Sequence, residues 1–222
     1  MAFPRQTRYW IEIIILYGGV PLLIAVFKDR ALMIAIMWAA GLFVWYWLNQ
    51  QKQKGFRTSF IEEWNWKGAQ SGLKHILFRF VLIAPLITLF TFIVHREHFF
   101  SFPIERPMTW GLVMLLYPLL SVVPQEMIFR TLFFGRYASL FPRKALMIFL
   151  SAFAFGYMHI IMLNPFAVAT TFLAGLLIAE TYARTRSLAL ASLEHTLYGC
   201  WAYTVGLGIY FYTGSAWGTF QG

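Results

Sequence analysis

Charge is scarce in this chain. Asp, Glu, Lys and Arg make up 12% of its 222 residues, about half the fraction usual in a soluble domain. Cysteine is scarcer still. Cys200 stands alone, which excludes an intramolecular disulfide and any multi-thiolate metal centre and leaves it as a small buried residue. Acidic residues are outnumbered by basic ones, 9 against 18, for a net charge of +9. In a soluble protein that balance would suggest nucleic acid; here orientation in a membrane explains it better, and no nucleic-acid partner is expected. There is no internal repeat, no low-complexity tract and no sign of the duplicated halves that many transporters carry.

What fills the chain instead is apolar. Hydrophobic residues reach 59% and aromatic residues 19%, far more than one aqueous core can absorb. The composition predicts an all-α polytopic membrane protein, a single bundle of about seven, or eight, transmembrane helices over residues 1–222. Spans are expected at 10–27, 31–48, 76–94, from Trp110 onward, and at 145–162, 166–182 and 188–212. The first follows Arg5 and Arg8 like a signal peptide, but its length and the lack of a small-residue cleavage site make it an uncleaved span. Residues 1–109 then hold the N-terminal spans and a basic, aromatic-studded connector (Lys52, Lys54, Phe56, Arg57, Phe60, Trp64, Trp66, Lys67) suited to the headgroup layer. Residues 110–213 hold a four-helix core. Arg79 is placed to snorkel from the start of the third span. Pro118 and Pro124 are expected to kink or unwind the fourth.

With the N-terminus in the cytoplasm, the inner segments carry twelve basic residues: Arg5, Arg8, Lys52, Lys54, Arg57, Lys67, Lys74, Arg136, Arg143, Lys144, Arg184 and Arg186. The outer segments carry four, Lys28, Arg30, Arg96 and Arg106. That bias predicts a multi-pass protein of a bacterial inner membrane with its N-terminus inside.

Ionisable residues within the last four spans are few: Glu126, Arg130, His159, Glu180, Glu194 and His195. Glu180 pairs most simply with Arg184. Glu126 and Arg130 are spaced i,i+4 on one helical face, as a structural ion pair or as part of a reaction centre. His159 and His195 are interhelical struts or catalytic groups. Together these residues offer a carboxylate and two imidazoles at comparable depth, enough to activate a water or hold a metal.

Three stretches resemble the motifs of the CAAX-protease and bacteriocin-processing family of intramembrane proteases. Pro124-Gln125-Glu126-Met127-Ile128-Phe129-Arg130 is similar to its Glu-Glu-x-x-x-Arg motif, with Gln125 in place of the first acid. Phe155-Gly156-Tyr157-Met158-His159 matches Phe-x-x-x-His in full, and His195-Thr196-Leu197-Tyr198-Gly199 resembles His-x-x-x-Asn/Asp with Gly199 at the last position. The departures resemble a bacterial subgroup with a Gln-Glu first motif. The resemblance implies a helical bundle with a water-containing site, cleaving a membrane-bound or lipid-modified peptide beside membrane lipids by a glutamate mechanism without a metal cofactor. On that basis Glu126 is expected to be the base and His159 to orient the water. His195 is expected to donate to the oxyanion, with Arg130 neutralising the carboxylate. Gln125, Glu194, Tyr198 and Gly199 are secondary candidates, Gln125 or Tyr198 supplying a second donor and Glu194 a substitute acid. Other readings remain: a zinc hydrolase with Glu126, His159 and His195 as ligands, an inactive scaffold or immunity factor, and a proton-relay transporter.

Overall fold

The structure, a computed structural model, describes residues 4–53, 60–66 and 69–211. Among these residues it is all-helical, without strands. The long helices are α1 (Arg5–Phe27), α2 (Arg30–Gln53), α3 (Ala69–Val94), α4 (Pro107–Arg136), α5 (Lys144–Met162), α6 (Pro165–Thr185) and α7 (Leu188–Val205). Six of them, α1 to α6, are long and apolar enough to cross a membrane. The seventh predicted span folds as α7, an 18-residue helix half of whose residues are buried. Glu194 and His195 make α7 less apolar, and a polar helix in lipid must be wrapped by the others.

Helix ends gather at two faces, as alternating spans require. At one face Arg136 at the end of α4 grips Glu12 near the start of α1 through Nε and Nη2, at 2.7 and 2.8 Å. At the same face Asn65, between α2 and α3, donates to the Arg186 carbonyl at 3.0 Å in the α6–α7 turn. Glu63 is buried there, accepts the Tyr182 hydroxyl and lies 3.8 Å from Arg186. Burial pushes its carboxyl above the usual range, outweighing the Tyr182 hydrogen bond and the Arg186 charge. At the opposite face the Phe100 amide donates to the Val205 carbonyl at 3.2 Å, and Asn164 donates to the Tyr210 carbonyl at 3.0 Å. Asn164 also caps α6, accepting from the Ala167 amide at 2.7 Å with Pro165 at the first helical position.

Three expectations are corrected. Pro118 and Pro124 do not unwind α4. The helix passes through both by widening into π-turns at Pro118–Val122 and Met127–Leu132, and Glu126 stays helical at φ −65° and ψ −32°. A wider turn makes room for a proline ring that would otherwise strike the preceding carbonyl. Arg79 does not snorkel. It turns inward, 2.7 Å from Glu180 and 3.5 Å from Glu194, because two carboxylates on facing helices outcompete the headgroup layer. The last helix stops at Val205, short of the predicted 212. Gly206 closes it at φ +113°, a left-handed conformation that favours glycine. The parts of the basic connector around Lys54, Phe56, Arg57 and Lys67 lie outside the described residues.

Candidate active site

Helix α4 presents two adjacent stripes to the bundle. Tyr117, Ser121 and Gln125 recur every fourth residue and line a cavity of about 550 Å³. Glu126 and Arg130 are also four apart but lie one residue round the helix, fully buried, and neither lines the cavity. A step of one residue turns a helix by about 100°. That step decides which of the neighbours Gln125 and Glu126 meets the cavity, and it is Gln125.

The buried stripe is held from three sides. Glu126 Oε2 is 3.1 Å from Arg130 Nε, the predicted i,i+4 pair. Glu126 Oε1 is 2.8 Å from His195 Nδ1 on α7. Arg130 Nη1 donates to Ser151 Oγ on α5 at 2.8 Å, and Ser151 in turn donates to the Phe129 carbonyl at 2.6 Å. The remaining guanidinium face rests on the Phe155 ring, 5.1 Å from its centroid. Within the second π-turn the Ile128 carbonyl takes the Tyr17 hydroxyl at 2.8 Å, so hydroxyls from two other helices anchor the widened backbone.

The histidines reach the cavity by different routes. α5 ends as an α-helix at Met158, and the His159 amide turns back to the carbonyls of Gly156 and Tyr157. The Phe155 carbonyl is left to His159 Nδ1, which meets it at 2.8 Å. A ring donating Nδ1–H to a carbonyl presents Nε2 as an acceptor in its neutral form. His195 is fixed the same way, with Nδ1–H on Glu126 and Nε2 turned to Tyr117 Oη at 3.0 Å. Phe155 stands edge-on to both imidazoles, with centroids 4.9 Å from His159 and 5.2 Å from His195. The spacing of Phe155 and His159 thus packs one aromatic edge against both rings.

The secondary candidates divide. Gln125 faces the cavity and donates to Ser121 Oγ at 2.7 Å. Gly199 lines the cavity too, and a Cβ built there would lie 2.7 Å from Tyr117 Cζ, so the Tyr117 ring takes that space. Glu194 turns away into the Arg79 cluster and accepts the Tyr198 hydroxyl at 3.2 Å. Tyr198 lines the cavity, but its hydroxyl is committed to Glu194. Glu180 pairs with Arg184 at 3.2 Å as expected, and with Arg79 besides.

Tyr117 and Ser151 are additions that the sequence reading missed. In an apolar run a tyrosine or a serine attracts no notice. The signal available for Tyr117 was its place eight residues before Gln125, with Ser121 between. The rest of the cavity wall is mainly apolar, with Ile83, Leu86 and Phe90 from α3 and Leu173 and Leu177 from α6, beside Thr170 and Thr171 of α6 and Tyr203 of α7. Among the described residues no carboxylate lines it. Nor does any group of three or more His, Cys, Asp and Glu among them stand where it could hold a metal. The zinc set would need Glu126, whose oxygens face His195 and Arg130.

No curated protein and no solved structure matches the chain. Residues 107–201 do match the model of a protein family described as type II CAAX prenyl endopeptidase, Rce1-like. That stretch begins at the first residue of α4 and ends within α7, spanning Tyr117, Glu126, Arg130, His159 and His195. Over it this multi-pass membrane chain is CAAX-protease-like.

Proposed function

We propose that the chain is a membrane endopeptidase in which His195 activates a water and Glu126 acts from behind it. The matched family implies a membrane endopeptidase. The observation that carries the assignment of roles is the 2.8 Å contact of Glu126 Oε1 with His195 Nδ1, with Nε2 of the same ring on the cavity. A buried carboxylate on one nitrogen fixes the tautomer, leaves the other nitrogen basic and stabilises the imidazolium that forms. This reading moves the base from Glu126 to His195, because Glu126 has no exposed surface. Arg130 Nε, 3.1 Å from the other carboxylate oxygen, compensates the Glu126 charge within the buried packing.

In the reaction His195 Nε2 takes a proton from water, and the hydroxide oxygen attacks the peptide carbonyl carbon. The carbon–nitrogen bond then breaks as the amine takes that proton back from His195. His159, a neutral acceptor on the same cavity, holds the second hydrogen of the water. The cavity's aliphatic and aromatic walls suit a substrate that is membrane-bound or carries a lipid. The twelve-to-four bias of basic residues supports a cytoplasmic N-terminus in a bacterial inner membrane; a reporter fused to the N-terminus and active outside would overturn it.

The test is cleavage of lipidated and membrane-anchored peptides by the protein in liposomes, with the ends identified by mass spectrometry. His195→Ala should abolish cleavage, and Glu126→Gln should lower kcat by about 10⁴-fold, as loss of an orienting carboxylate does. His159→Ala should cost about 10²–10⁴-fold. A wild-type rate in His195→Ala rejects the assignment. Activity should survive strong chelation; loss restored by zinc would favour the metal reading through Glu126, His159 and His195.

One observation favours a second reading, a non-catalytic membrane scaffold. The cavity position beside Glu126 holds Gln125, an amide that cannot act as a base. On that reading the wild type is inert and Gln125→Glu gains activity. On the preferred one the wild type already cleaves.

A further inference from the structure

We propose that Tyr117 is the oxyanion donor of this site and that in the idle site its hydroxyl covers the base. The inference rests on the hydrolase reading above and adds a catalytic residue to it. Tyr117 Oη lies 3.0 Å from His195 Nε2, where the attacking water must also sit. Of the other hydroxyls and amides on the cavity, Tyr198 serves Glu194 at 3.2 Å, Tyr203 serves the Phe211 carbonyl at 3.3 Å, and the Gln125 amide serves Ser121 at 2.7 Å. The Tyr117 O–H is held by His195 Nε2, the one partner that the reaction itself must draw away.

The ring is placed rather than loose. It stands edge-on to His195 at 6.0 Å and to Tyr203 at 5.5 Å. It also fills the space that any side chain at Gly199 would need, since a Cβ there would meet Cζ at 2.7 Å. Gly199 and Tyr117 therefore form one unit, a missing side chain on α7 answered by a phenol from α4.

Substrate binding brings a carbonyl oxygen into the cavity as a competing acceptor. A shift of the Tyr117 side chain carries Oη off His195 Nε2 and turns its O–H to that oxygen, which frees the imidazole lone pair and the space beside it for water. As hydroxide adds to the carbonyl carbon, the carbonyl π pair moves onto oxygen, and the Tyr117 O–H stabilises the anion. Tyr117 keeps its proton throughout; the transferred proton goes from water to His195 and then to the leaving amine.

The experiment uses full-length protein in liposomes with a peptide that the wild type cleaves. Tyr117→Phe keeps the ring and removes the donor. Its kcat should fall by about 10²–10³-fold, as for one oxyanion donor, with KM within about threefold and the melting temperature unchanged. Gly199→Ala should impair cleavage similarly by displacing the ring, but should add no further loss to Tyr117→Ala. A Tyr117→Phe rate within about twofold of wild type, or an equal Gly199→Ala loss in both backgrounds, overturns the proposal. A wild type no more active than His195→Ala sinks the hydrolase reading first, and this proposal with it.

Discussion

The two halves of the bundle are built differently. In α1, α2 and α3, 22%, 17% and 17% of the residues in the most apolar stretch are buried; in α4, α5 and α6 the shares are 28%, 39% and 39%. Buried polar groups follow the same division. Glu126, Arg130, Thr131, Ser151, Thr171, Thr181, Ser187, Ser192, Glu194 and His195 lie in the second half, against Glu63 and Thr91 in the first. Burying apolar surface against apolar lipid gains little, so packing and hydrogen bonds decide where membrane helices sit. The first half is mainly a lipid-facing wall. The second is specified by polar contacts that have one good arrangement, and the site is made of them.

The sharpest way to break this contrast is to remove one partner of the buried pair. Glu126→Ala leaves the Arg130 guanidinium uncompensated at zero exposure and should cost about 3–5 kcal/mol. Leu82→Ala, on the lipid-facing side of α3, should stay within about 0.5 kcal/mol. Unfolding by titration with a denaturing detergent, followed by tryptophan fluorescence, compares the two, and equal losses would erase the distinction. Ser151→Ala is a milder test. It removes the hydroxyl between Arg130 and the Phe129 carbonyl and should cost about 1.5–3 kcal/mol, the range for a hydrogen bond to a charged group.

The smallest expected effect lies where the first half is latched to the second. The Glu63 carboxyl is raised above its usual range by burial, so the folded latch binds a proton more tightly than the open connector does. Its stabilisation is complete below the ordinary carboxylate range and is lost as pH rises through the raised value. Amide exchange at residues 62–66 should quicken modestly with pH beyond its intrinsic rise, and Glu63→Gln should flatten that excess. An unchanged excess in the variant would show that Glu63 is not the group responsible.

Much of this architecture was legible because lipid imposes a crude rule, an apolar run per crossing. The seven predicted runs all fold as helices, and the i,i+4 spacing of Glu126 and Arg130 translates directly into their ion pair. Direction was not legible. Nothing in the order of residues says that Gln125 meets the cavity while Glu126 meets His195, because the π-turns shift the face that α4 presents. Arg79 lies near a helix start, where snorkelling is the default; only the placement of Glu180 and Glu194 on other helices draws it inward. Tyr117 was hidden for a similar reason, since its importance depends on an empty position 82 residues away at Gly199.

The central claim is that Glu126 works through His195, and imidazole nitrogen NMR on the wild-type protein in lipid nanodiscs tests it most directly. With the His195 signals identified by their loss in His195→Ala, the account predicts a neutral ring protonated at Nδ1 and bare at Nε2, a preference that weakens in Glu126→Gln. A wild-type ring protonated at Nε2 and bare at Nδ1 would contradict it.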